Sequence, residues 1–234
     1  MENLLNNMKK MLPKYNAKQP STGKTISFRP FTVKEEKALI IANQTGSYED
    51  FLTTLSDVID NCFDLKIQTK KLPVFDVEYF FLKLRSKSIG EILEPIITCP
   101  ATGEKIKLQI NIDEIEPVYD KTHAKKINLD GSIIVKMKYP SLEMLIEKEN
   151  NKGDYFDLVI DCIETIETKN ELIEASNTSR ENLKEFIELL TSEQYKKLIS
   201  FFKTSPKLEY EVKYRTSDST ERTIILRGIR DFFQ

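Results

Sequence analysis

Over residues 1–12 the apolar side chains Leu4, Leu5, Met8, Met11 and Leu12 recur at helical spacing, and Pro13 stops the pattern. The chain is therefore expected to open with a short amphipathic arm, which either docks on the protein's own surface or serves as a partner-binding helix. Residues 13–23, rich in Pro, Asn, Ser, Thr and Gly, read as a linker. The alternation Thr25-Ile26-Ser27-Phe28-Arg29 predicts a strand up to Pro30. Thr32 and Glu35 then form a capping box that starts a helix ending near Gly46.

A second helix from Tyr48 turns Phe51, Leu52, Leu55, Val58, Ile59 and Cys62 toward a core. A third, from near Asp76 to about Gly90, carries Val77, Phe80, Phe81 and Leu84. Ile96 to Cys99 and Lys105 to Ile110 flank Pro100-Ala101-Thr102-Gly103 and read as a hairpin.

The second half repeats this order. Ile133 to Lys138 reads as a strand, Pro140-Ser141 starts a helix, and the next helix ends Val159-Ile160-Asp161-Cys162, echoing Val58-Ile59-Asp60-Asn61-Cys62. Helices over about 179–190 and 192–203 precede a hairpin with arms Leu208 to Arg215 and Glu221 to Arg227. The expected fold is α+β, in two similar halves of helices on a small antiparallel sheet with a C-terminal hairpin. The boundaries are 1–20 for arm and linker, 21–115 for the first half and 116–234 for the second. Either tandem duplication or the chance likeness of two generic α+β halves would give this order.

Composition narrows the function classes. With 40% apolar and 31% charged residues the chain has the make-up of a packed globular protein. The net charge of -2, from 35 basic and 37 acidic side chains, gives no basic face for nucleic acid; Lys9-Lys10, Lys70-Lys71 and Lys125-Lys126 read as solvated surface. Cys62, Cys99 and Cys162 are odd in number and far apart, as suits buried thiols in a reducing compartment. Met1-Glu2-Asn3-Leu4-Leu5 lacks a signal-peptide pattern, and no apolar run approaches ~20 residues, so neither export nor membrane insertion is expected.

Candidate chemistry is sparse. Gly23-Lys24-Thr25 ends like a phosphate-binding loop, but Lys18 stands where a glycine is needed, and a strand rather than a helix follows. His123, the only histidine, falls in a polar stretch and reads as an exposed linker residue. Asp57, Asp60, Asp157, Asp161 and Glu164 sit at helical spacing and read as a solvated face. Cys99-Pro100-Ala101-Thr102-Gly103 has the form of a zinc-knuckle turn with threonine in place of the second cysteine, and Thr216-Ser217-Asp218-Ser219 occupies the equivalent turn of the other hairpin. Two such turns would make a four-thiolate site; here three of the four ligands are missing. The alternative is that Pro and Gly simply make good turns. No catalytic, cofactor-binding or metal residue is expected.

Several runs carry a family likeness: Leu12-Pro13-Lys14-Tyr15, Phe28-Arg29-Pro30-Phe31-Thr32, and above all Phe75-Asp76-Val77-Glu78-Tyr79-Phe80-Phe81-Leu82-Lys83-Leu84-Arg85. Near the end stand Phe201-Phe202-Lys203-Thr204-Ser205-Pro206 and Leu226-Arg227-Gly228-Ile229-Arg230-Asp231-Phe232-Phe233. With these the chain resembles the baseplate hub-assembly proteins of T-even type myophages, over nearly its whole length. The resemblance implies a non-enzymatic structural or assembly role in the hub of a contractile tail, in the host bacterium's cytoplasm and possibly in the virion. The implied partners are other hub and tail proteins, not nucleic acid or membrane. A transient chaperone absent from the virion is the alternative, and an enzyme acting on nucleotides or cell wall the more distant one. The matching residues read as architecture: Thr32 and Asp76 as caps, and Arg29, Arg85 and Arg227 as pairing with carboxylates inside the fold or across an interface. Leu4, Leu5, Met8, Leu12, Phe232 and Phe233 are the expected partner-binding anchors.

Overall fold

The computed structural model describes residues 3, 4, 7, 8, 11–65, 68–151 and 155–231. In chain order its first elements are β1 (Tyr15–Lys18), β2 (Thr25–Phe28), α1 (Val33–Thr45), α2 (Tyr48–Cys62), α3 (Val74–Ser88), β3 (Ile92–Leu93), β4 (Ile96–Thr98), β5 (Lys105–Lys107) and β6 (Ile110–Asn111). There follow β7 (Lys126–Asn128), β8 (Ile134–Met137), α4 (Leu142–Asn151), α5 (Tyr155–Asp161), β9 (Ile163–Glu167), β10 (Leu172–Glu174), α6 (Arg180–Glu188) and α7 (Ser192–Thr204). The chain closes with β11 (Glu209–Arg215), β12 (Glu221–Arg227) and α8 (Gly228–Asp231). The mixture of helices and small antiparallel sheets, with a C-terminal hairpin, is the α+β class expected.

The chain folds as two units, 1–118 with 207–234, and 119–206. This departs from the expected boundary, because residues 207–234 return to the first unit instead of completing a second half. Val118 and Lys207 meet where the chain leaves and re-enters, each donating its N–H to the other's carbonyl, at 2.9 and 3.3 Å. Tandem duplication of the full order is not confirmed.

In the first unit β1 pairs antiparallel with β2, Tyr15 opposite Phe28. Residues 13–23 are thus more than a linker, since half of a hairpin lies within them. Their low hydrophobicity hid a strand that pairing with β2 supplies. The turn is fastened from inside: Asp76, fully buried, accepts from Gln19 Nε2 at 2.7 Å, from the Ser21 N–H at 2.8 Å and from Ser21 Oγ at 2.5 Å. Asp76 is therefore the third residue of α3 and a pin for the hairpin, rather than the cap expected of it. Burying a carboxylate requires several donors, which the turn provides.

Helix α1 starts as its sequence indicates, with Glu35 accepting from the Thr32 N–H at 2.6 Å. Ser47 starts α2, accepting from the Asp50 N–H at 3.1 Å. Leu52, Leu55 and Ile59 of α2 and Phe80 and Leu84 of α3 are completely buried, each contributing on the order of 1.5–3 kcal/mol. Phe63 stacks on Phe28 at 4.7 Å and meets Phe80 at 4.6 Å, so the end of α2 is held against the hairpin by rings.

The second unit is built on a four-stranded antiparallel sheet of order β10-β9-β8-β7. Leu129, Val135, Met137, Ile163 and Ile166 form its core with Leu183 and Ile187 of α6 and Leu198 and Phe201 of α7.

Candidate interaction surfaces

The two knuckle-like turns, far apart in sequence, meet inside the first unit. The β4–β5 loop closes with the Cys99 N–H donating to Glu104 O at 2.8 Å and the Gly103 N–H to Cys99 O at 2.9 Å. The β11–β12 loop closes with Thr216 N–H to Thr220 O at 3.2 Å and Ser219 N–H to Thr216 O at 2.9 Å. Gly103 and Ser219 take the left-handed conformation, at φ +73° and +62°. Across the pair, Tyr214 Oη donates to Cys99 Sγ at 3.4 Å and the Ser217 N–H to Glu104 Oε2 at 3.2 Å.

This set does not fit zinc. Cys99 offers one thiol where Thr102, Thr216 and Ser219 offer hydroxyls, and structural zinc takes thiolate or imidazole. Among the described residues no three His, Cys, Asp or Glu side chains converge as a metal-binding group. Hydrogen bonds hold the turns instead. Arg222 reaches Thr216 Oγ1 at 3.2 Å through Nε and Asp218 Oδ2 at 3.1 Å through Nη2. The Thr216 hydroxyl also bonds Asp218, and this contact first, with the Thr220 amide, holds the Asp218 carboxyl well below the usual carboxylate range. The buried Cys99 thiol is lowered to about 7, chiefly by the Thr102 hydroxyl and then by that of Tyr214, with the Thr102 and Ala101 amides adding to both.

The remaining polar candidates are structural. His123 is a packed side chain of the second unit and not an exposed linker residue: Nδ1 lies 3.0 Å from Thr204 Oγ1, Nε2 lies 3.0 Å from Tyr139 Oη, and the ring rests on Tyr139 and Phe201. Burial and the nearby Lys125 lower its pKa. Four of the five carboxylates read as a solvated face have partners. Asp60 accepts from the Thr69 N–H at 2.8 Å, Arg180 bonds both Asp157 and Asp161, and Lys136 pairs with Glu164 at 2.6 Å. Lys24 belongs to the β1–β2 turn, and the strand that follows it is β2, as its sequence indicates.

Apolar surface is the more informative feature. Leu4 and Met8 are helical and exposed, Met11 is 81% exposed and Leu12 half-buried. Leu5, Phe232 and Phe233 lie outside the described residues. A surface that sequence reasoning missed is the outer side of α1, where Val33, Ile40 and Ile41 are exposed while Leu39 and Ala42 face inward. The run Ala38-Leu39-Ile40-Ile41-Ala42 carries the signal: a helix apolar on more than one side needs cover on more than one side.

Residues 12–234 match the family described as T4 bacteriophage base plate protein. The chain belongs to that family. The baseplate hub assembly protein gp26 of Enterobacteria phage T4 is 25% identical to it over 214 residues, which cover 90% of this chain and 93% of that protein. No solved structure matches it. Among the described residues of this base plate family chain, Thr32 opens α1 and Phe80 fills the core. Arg29 pairs with Glu35 at 2.5 Å and Arg227 with Glu209 at 2.7 Å, both within the first unit. Arg85 has no carboxylate partner among the described residues, and its Nη1 is buried without a hydrogen bond.

Proposed function

We propose that this protein is a non-enzymatic structural and assembly component of the baseplate hub of a contractile phage tail, acting by binding other hub and tail proteins in the host cytoplasm. The observation that carries the reading is the alignment with a baseplate hub assembly protein along nine-tenths of both chains. A match of that extent relates whole architectures instead of one shared motif. The exposed apolar stripe of Leu4 and Met8, four residues apart on one helical face, supports binding as the mode of action, with Leu5, Leu12, Phe232 and Phe233 as further anchors.

Deleting residues 1–12 tests the arm. Co-purification of hub proteins from infected cells should weaken while the circular dichroism and melting temperature of the variant stay unchanged; undiminished capture removes the arm from the proposal. The relative's name, an assembly protein, also favours a chaperone that leaves the finished particle. Quantitative mass spectrometry of purified virions separates the two, a fixed copy number marking a structural subunit and absence marking a chaperone.

A further inference from the structure

Beside the outer side of α1 lies a groove of about 200 Å³, lined by Phe31, Leu39, Phe51 and Phe81, with the exposed Ile40 and Ile89 on its rim. Among its described lining residues the cation is Arg85. Arg85 presents a guanidinium whose Nη1 is buried and has no acceptor among the described residues. Burial lowers the pKa of Arg85, the expected direction for a charge desolvated without neutralisation. Glu36 also lines the groove but is not paired with Arg85, and Asn43 is exposed beside it.

A guanidinium stays charged in a protein, and a buried N–H without an acceptor is unfavourable by about 1–3 kcal/mol or more. A carboxylate brought against the guanidinium offsets that cost. The cavity is smaller than the roughly 300–1,000 Å³ of small-molecule sites, yet large enough for one acidic side chain with apolar flanks. Charge and shape therefore select the same occupant.

We propose that this groove docks a segment of a partner protein that carries an Asp or Glu side chain between apolar residues. The carboxylate meets Arg85, and the flanking side chains cover Ile40 and Ile89. The inference rests on the reading of this chain as a protein-binding hub component, and it names the chemistry of one of its partners.

Octanoate serves as a minimal probe of that chemistry, with octanamide as its uncharged counterpart, both titrated into the full-length protein while the Ile40 and Ile89 methyl signals are followed by NMR. Octanoate should bind on the order of tenfold more tightly than octanamide, the difference expected for a hydrogen bond to a charged group. Arg85→Met should abolish the preference without loss of folding, since replacing an unpaired buried cation by an apolar side chain is neutral or stabilising. Equal binding of the two probes, or a preference that survives in Arg85→Met, would overturn the proposal.

A photo-crosslinker at position 40 in infected cells identifies the occupant. A cross-linked partner peptide with an acidic residue between apolar ones supports the inference. Cross-links to residues 1–12 or 228–234 of the same chain, to a second copy, or to a peptide without a carboxylate overturn it. Failure of the groove and failure of the hub role are distinguishable. Normal baseplates from Arg85→Met, in a phage that needs the gene for baseplates, discard the groove alone, whereas normal baseplates from a phage lacking the gene discard the hub role.

Discussion

Among the described residues, the helix pair of the first unit returns to its hairpin through one bridge, Phe28 opposite Phe63, whereas in the second unit it returns through the five-residue strand β9, which goes on to pair with β10. The entry to each return is the same. The Arg29 N–H donates to Cys62 O at 3.0 Å, and the Lys138 N–H donates to Cys162 O at 2.8 Å. In both units a cysteine at or just after the end of the second helix is buried, its thiol pushed up to about 12 by desolvation. Beyond that shared joint the units use different means. The second continues a backbone ladder, whose strength is spread over many peptide groups; the first stops the ladder and relies on stacked rings and α3. A common local joint can thus be finished by sheet or by side-chain packing.

The contrast is sharpest at the residue after each cysteine. Phe63→Ala removes a ring from the stack and should cost about 3–5 kcal/mol, while Ile163→Ala, on a strand paired on both sides, should fall at the lower end of about 2–5 kcal/mol. Native-state hydrogen exchange, read separately in the two units, checks this. A larger loss at Ile163 would reverse the comparison.

Next in size is Asp76→Ala, which strands the donors of Gln19 and Ser21 and should destabilise the first unit by about 3 kcal/mol. Faster exchange of the Ser21 amide, with the second unit unaffected, is the expected signature. Protection retained at Ser21 would show that the pin does not hold the turn.

Cys62→Ser and Cys162→Ser test the shared joint. Each buries a hydroxyl in place of a thiol and should cost about 1–3 kcal/mol. Near-equal losses in urea denaturation are expected; a loss confined to one unit would mean that the two joints are alike in geometry only.

The last effect is one of pH and concerns the first unit's paired turns. The folded-state thiol of Cys99 titrates at about 7 against an ordinary 9.0, so the unfolded chain holds its proton to higher pH than the folded one does. The resulting stabilisation grows as pH rises from about 7 to 9, is fully present above 9, and is lost as pH falls through 7. The urea midpoint of the wild type minus that of Cys99→Ser should widen over this window. A constant difference would remove the thiolate from the turns.

The sequence by itself determined the local structure. Helix starts at Thr32, Ser179 and Thr191 and hairpin arms at Glu209 to Arg215 and Glu221 to Arg227 all rest on contacts between residues close in the chain. Capping, alternation and turn chemistry act over a few residues and so can be read there. The helical, exposed placement of Leu4 and Met8 was legible in the same way, from their spacing. Tertiary structure alone decided the rest: that residues 15–18 form a strand, that Asp76 faces a turn 55 residues away, that the last hairpin rejoins the first unit, and that His123 packs against two rings that also stack on each other. It also decided that Arg29 and Arg227 find carboxylates while Arg85 does not. Each of these depends on which groups the finished fold brings together, and such pairings leave no periodic trace in the order of residues.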